Sequence, residues 1–115
     1  MEHDCCELNL VKLAKNLVIL KGGNERSISS RIALEYIKKF KPKNVLIHDA
    51  ARPDFSLNLI KTIVKNLKNN NAVIPAIKPT DSIKYKNKKN LFNIDRDKVL
   101  STQTPQGFNF KSLYK

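Results

Sequence analysis

The stretch Asn44–Pro53, NVLIHDAARP, decides how the chain is read. Val45, Leu46 and Ile47 form a short apolar run with the β-branched character of a buried strand. The run stops at His48 and Asp49, and two alanines separate that carboxylate from Arg52 and Pro53. In an open α/β sheet, ligands bind where strands give way to loops at their carboxyl ends. Asp49 suits a divalent cation there, and the planar guanidinium of Arg52 suits a phosphate.

Working outward, Asn16–Leu20 (NLVIL) reads as a strand covered on both faces and preceded by a short helix over Glu7–Asn16. Lys21, Gly22, Gly23 and Asn24 break it. From Ser27 to Phe40, the residues Ile28, Ile32, Tyr36, Ile37 and Phe40 share one helical stripe. The Gly-Gly pair ahead of this helix exposes backbone N–H groups suited to an anion or a base edge, with Arg26 and Ser29 in the first turn. Pro42 closes the helix. Beyond Asn44–Pro53, Ser56 is placed to cap a second helix carrying Leu57, Ile60, Ile63, Val64 and Leu67 inward, and Ala72–Ile77 returns as a strand. The alternation of strand and helix predicts an α/β fold with a parallel-rich sheet and right-handed crossovers.

After Pro79, Asp81–Tyr85 and Leu91–Ile94 are two extended runs around a Lys-rich tip, read as a projecting β-arm over about residues 80–97. It has too few apolar residues for a core of its own, so it should rest on the body or on a second subunit. A short strand over Val99–Thr102, a tight polar loop over Gln103–Gly107 and the start of a helix over Phe110–Lys115 follow.

At 115 residues the chain fits one domain, and 41% hydrophobic residues allow only a small core. No apolar run approaches the roughly 18 residues of a membrane span, and Glu2, Asp4 and Glu7 are unlike a secretory signal, so a cytoplasmic location is the default expectation. The net charge of +12 raises a nucleic-acid-binding module as a rival reading. However, 18 of the 22 basic residues are lysines spread along the chain, a pattern of solvated faces, so no nucleic-acid partner is expected. His3, Cys5 and Cys6 offer three ligands without a downstream cluster, and are read as a reduced pair beside a loose terminus. There is no Ser/His/Asp or Cys/His arrangement with supporting context, and no strand-linked GxGxxG or GxxxxGK[ST].

Taken together, KGGNERSISS, VLIHDAARP, DSIK, DR and STQTPQGF, in this order and spacing, resemble the 2-C-methyl-D-erythritol 4-phosphate cytidylyltransferase family over roughly Leu17–Lys115. The resemblance implies a Rossmann-like nucleotidyltransferase fold and a homodimer joined through the arm. It also implies Mg²⁺-dependent transfer of CMP from CTP to the sugar-alcohol phosphate. It places Gly22, Gly23, Asn24 and Ser29 around cytosine and ribose, Asp49 on the metal and nucleotide, and the Ala50 backbone near base or sugar. Arg52, Ser82, Arg96 and Thr104 fall on the methylerythritol phosphate, Ser82 and Arg96 reaching it from the neighbouring subunit, and Asp49 and Arg52 are the catalytic pair. Asn24 stands where the family often has Asp, and Ser82 where it usually has Thr. The family's Gly-rich N-terminal loop and C-terminal catalytic Lys are not matched, so residues 1–115 read as a single, truncated, partial cytidylyltransferase domain, expected to be inactive alone. A ribitol-5-phosphate cytidylyltransferase shares the same loops and is the nearest rival. A degenerate gene product without function is another.

Overall fold

The computed structural model describes residues 17–115. The expected helix over Glu7–Asn16 and the His3, Cys5 and Cys6 group lie outside the described residues. The chain forms two compact units, Met1–Phe40 and Lys41–Lys115.

In the described part of the first unit, helix α1 (Arg26–Ile37) continues into a 3₁₀ turn over Lys38–Phe40. The expected strand over Asn16–Leu20 does not form among the described residues. Residues 17–20 make no ladder and are 36–58% exposed. A strand needs a neighbour for its N–H and C=O groups, and no described segment supplies one. The apolar stripe of α1 is likewise not buried: Ile28, Ile32 and Phe40 are exposed. Leu17, Val18 and Leu20 instead line an open groove with Ala33, Tyr36, Ile37 and Phe40.

The second unit runs β1 (Asn44–Ile47), α2 (Leu57–Asn66), β2 (Ala72–Val73), β3 (Ala76–Ile77), β4 (Ile83–Asn87), β5 (Asn90–Ile94), a 3₁₀ turn over Arg96–Lys98, β6 (Ser101–Thr102), β7 (Gln106–Asn109) and α3 (Phe110–Tyr114). α2 starts as expected, the Ser56 hydroxyl accepting from the Leu59 N–H at 3.1 Å. α3 is capped in the same way by Asn109, whose side chain accepts from Ser112 N–H at 3.3 Å.

The strand order β1-β7-β2 departs from the expected sheet of parallel neighbours. β7 lies between β1 and β2 and is antiparallel to both, so β1 and β2 point the same way without touching. The direction expected of the strand–helix–strand unit is therefore kept, and its adjacency is not. Gln106 and Gly107, read as part of a loop, belong to this central strand. The single strand expected over Ala72–Ile77 is two, interrupted at Ile74-Pro75, and its second half pairs with β6 instead. Proline cannot donate to a ladder, which ends the first pairing there.

Gly107 explains the packing. A Cβ at this position would collide with Ile63 Cγ2, come within 2.9 Å of Leu67 Cδ1 and within 3.3 Å of Leu46 Cδ2. Its absence lets α2 lie directly on the middle of the sheet. Among the described residues, the large apolar side chains that are buried are accordingly Ile63, Leu67 and Phe110. Leu57 and Val64, expected inward on α2, are exposed. The helix settles on the sheet through one narrow line of contact rather than its whole apolar arc.

The arm is a hairpin as expected. β4 and β5 pair from Ile83↔Ile94 to Asn87↔Asn90, leaving Lys88 and Lys89 as the turn, with Lys88 in the left-handed region at φ 52°. Tyr85 and Phe92 face each other across it with ring centroids 6.4 Å apart. No helix among the described residues is long and apolar enough to cross a membrane.

Candidate functional site

β1 delivers the chain to His48, and the Arg52 N–H donates to the Asp49 carbonyl at 3.0 Å. That bond closes a four-residue turn with Ala50 and Ala51 at its two central positions. The turn brings the Asp49 carboxylate and the Arg52 guanidinium to one side, Oδ2 to Nε 3.8 Å, with the two side chains 32% and 47% exposed. Both side chains are partly exposed, and an ion pair so exposed contributes little to stability, about 0–1 kcal/mol. Small residues at 50 and 51 leave the outer surface of the turn clear.

Three further contacts hold the turn. His48 Nε2 lies 2.7 Å from the Arg52 carbonyl oxygen, and the imidazole meets the Phe55 ring edge-on at 4.5 Å. Because a carbonyl only accepts, Nε2 donates in this contact. Nδ1 is buried and has no partner among the described residues. From the other side, the Asp49 N–H donates to Thr104 Oγ1 at 3.3 Å, and Arg52 Nη1 donates to Gln103 Oε1. Thr104 is 8% exposed and precedes Pro105 through a cis peptide bond.

The structure thus brings together Asp49, Ala50, Arg52 and Thr104 from the expected set. Ser82 and Arg96 form a second group, on the two chain segments at the base of the arm. Arg96 Nη1 donates to the Thr80 carbonyl at 3.0 Å, and Asp95 caps the turn that carries Arg96, accepting from Asp97 N–H at 3.1 Å. Gly22, Gly23, Asn24 and Ser29 form a third group in the first unit. There the Ser29 hydroxyl accepts from the Gly23 N–H at 3.0 Å and lies 3.2 Å from the Glu25 carbonyl, tying the Gly-Gly loop to α1. A Cβ on Gly23 would collide with Ile28 Cγ2. The loop can approach the helix this closely only with glycine there.

The sequence reads Gln103–Gly107 as a tight polar loop, with no role for Gln103. The available signal was its position beside Thr104, and nothing local reveals that its partner lies in the turn after β1.

A divalent cation fits Asp49 in one way. Among the described residues no group of three or more His, Cys, Asp or Glu gathers, so a cage made wholly of protein ligands is not present. Mg²⁺ commonly takes one or two carboxylates and completes its shell with phosphate oxygens and water. A single accessible carboxylate on an exposed turn matches that donor set.

Comparisons with known proteins agree on one family. The family model described as "IspD: 2-C-methyl-D-erythritol 4-phosphate cytidylyltransferase" matches residues 2–115. A bifunctional enzyme IspD/IspF of Pelagibacter ubique is 46% identical over 101 residues, covering 88% of this chain and 27% of that protein. A 2-C-methyl-D-erythritol 4-phosphate cytidylyltransferase of Clostridium beijerinckii is 40% identical over 100 residues, covering 84% of this chain and 43% of that protein. The crystal structure of 4-diphosphocytidyl-2C-methyl-D-erythritol synthase from Anaerococcus prevotii superposes with a TM-score of 0.82 at 32% identity, covering 96% of this chain and 49% of that chain. The chain therefore spans less than half the length of each of these relatives.

Proposed function

Because the chain belongs to the 2-C-methyl-D-erythritol 4-phosphate cytidylyltransferase family, with its Rossmann-like nucleotidyltransferase fold, we propose that it contributes to transfer of CMP from CTP to methylerythritol phosphate. The products are CDP-methylerythritol and pyrophosphate, as a step in isoprenoid synthesis. The observation that carries this reading is the Asp49–Arg52 turn, which presents a carboxylate and a guanidinium 3.8 Å apart within the HDAARP motif.

In this reading Gly22, Gly23, Asn24 and Ser29 take the cytosine and ribose, and the Ala50 backbone approaches the base or sugar. Arg52, with Ser82, Arg96 and Thr104, takes the sugar-alcohol phosphate. The Thr104 hydroxyl already accepts from Asp49 N–H, so it also steadies the turn. Asp49 is the residue that would hold Mg²⁺. When bound, the ion supplies positive charge against the α-phosphate.

The residues' work is positioning and charge neutralisation. A phosphate oxygen of the acceptor forms a bond to the α-phosphorus of CTP as the bond to the bridging oxygen breaks, and pyrophosphate leaves with that electron pair. The nucleophile is already an anion, so no general base is needed. Arg52 fixes its line of approach through two parallel N–H donors, a geometry lysine lacks. The arm suits a homodimer, with Ser82 and Arg96 serving the neighbouring subunit's acceptor phosphate.

The relatives described above are methylerythritol phosphate enzymes, which favours that acceptor over ribitol 5-phosphate. Calorimetric titration of the 115-residue chain tests the reading. Expected are CTP binding that strengthens with Mg²⁺, and methylerythritol phosphate binding that Arg52→Lys weakens at least about tenfold, the range set by a charge-assisted hydrogen bond. Equal affinity for CTP and ATP, or tighter binding of ribitol 5-phosphate, overturns it.

A further inference from the structure

Arg52 is reached from across the molecule by a residue to which the proposed reaction gives no part. Its Nη1 donates to Gln103 Oε1, while Nε faces Asp49. A guanidinium has five donors and no acceptor, so the Gln103 amide must turn its oxygen toward it. The amide nitrogen then faces the other way, and Nε2 lies 3.4 Å from Ser101 Oγ on β6. The Gln103 backbone is fixed independently, its N–H donating to the Pro75 carbonyl at 2.8 Å. The side chain is thus held at its root and braced at its amide nitrogen. Its oxygen is the remaining polar atom, and it meets Arg52.

We propose that Gln103 is the positioning residue for Arg52: its amide oxygen fixes the rotation of the guanidinium so that the plane and the free N–H edge face the acceptor phosphate. This rests on the assignment of Arg52 to that phosphate. An arginine side chain has four rotatable bonds, and about 2 kcal/mol of rotamer entropy opposes holding it still. Asp49 alone touches Nε at 3.8 Å and leaves the terminal nitrogens free to swing. A neutral acceptor on Nη1 removes that freedom without consuming the positive charge that the phosphate needs. Gln103 touches neither reactant in this scheme and acts only through Arg52.

The test uses the 115-residue chain labelled with ¹⁵N-arginine. The Arg52 Nε–Hε heteronuclear NOE is measured for the wild type, Gln103→Met, Gln103→Asn and Gln103→Glu, with amide spectra confirming the fold of each. Methionine keeps the length without an acceptor, and asparagine keeps the amide but withdraws it by one methylene. The Gln103–Pro75 backbone bond survives all three replacements. The expected result is a rigid Arg52 signal in the wild type and Gln103→Glu, falling toward that of a free side chain in Gln103→Met and Gln103→Asn. Those two variants also bind methylerythritol phosphate about tenfold more weakly, equivalent to about 1.4 kcal/mol. An unchanged Arg52 signal in both overturns the proposal, and so does unchanged phosphate affinity alongside a loosened signal. If the Arg52 signal loosens while the wild type binds no sugar phosphate, the hold on Arg52 is upheld and the functional assignment fails instead.

Discussion

The backbone N–H of Asp49 donates to the side-chain oxygen of Thr104 across 3.3 Å, although the two residues lie on opposite sides of the arm in sequence. The contact ties the turn after β1 to the segment entering β7, so the carboxylate keeps its place only while both segments are folded.

Replacing Thr104 by valine conserves shape and removes the acceptor. Thr104 is 8% exposed, so the Asp49 N–H loses its partner in a place water reaches poorly. Urea denaturation should show a loss of about 1–2 kcal/mol, the usual cost of stranding a buried donor. Thr104→Ser keeps the oxygen and should lose less.

Gly107→Ala should be costly for a residue in a strand, where alanine is normally tolerated. The new methyl meets Ile63 Cγ2 and Leu67 Cδ1, and both side chains are already buried. Forcing α2 off the sheet is expected to cost about 1–3 kcal/mol. The shift in urea midpoint measures it, and a cost below about 0.5 kcal/mol would mean that the helix does not sit there.

Ser56→Ala removes the acceptor for Leu59 N–H and should cost about 1 kcal/mol, whereas Ser56→Asp should retain most of the stability. Thermal unfolding followed by circular dichroism separates the two.

Asp49→Asn tests the metal assignment. The side chain keeps its size and an oxygen while losing its charge, so Mg²⁺ should no longer strengthen CTP binding in calorimetry. Retention of the full Mg²⁺ effect would place the ion elsewhere.

Where local chemistry decided the outcome, the sequence was readable. Ser56 caps α2, the arm forms a hairpin, and HDAARP folds into a turn with Asp49 and Arg52 on one side. Strand β7 was hidden because Gln106 and Gly107 look like turn residues, and glycine is poor in a strand unless something approaches closely. Ile63, more than forty positions away in the chain, is what approaches. The same long-range fact displaced the expected parallel neighbours, because no local pattern shows that a later strand will enter between β1 and β2. Gln103 stayed without a role for the same reason, its partner being supplied by the fold and not by its neighbours in sequence.

The placement of β7 also sets a timetable. β1 and β2 have no ladder with each other, and the strand that joins them follows both in sequence, Asn44 waiting for Asn109. During synthesis, a chain that had reached Leu100 would hold α2 and the arm but no central sheet. Such late, distant pairing slows folding, because a long loop must close before any contact rewards it. The ligand turn inherits this delay: Thr104 and Gln103, which secure Asp49 and Arg52, arrive with the strand that completes the sheet, so the site and the core are acquired in a single closing event.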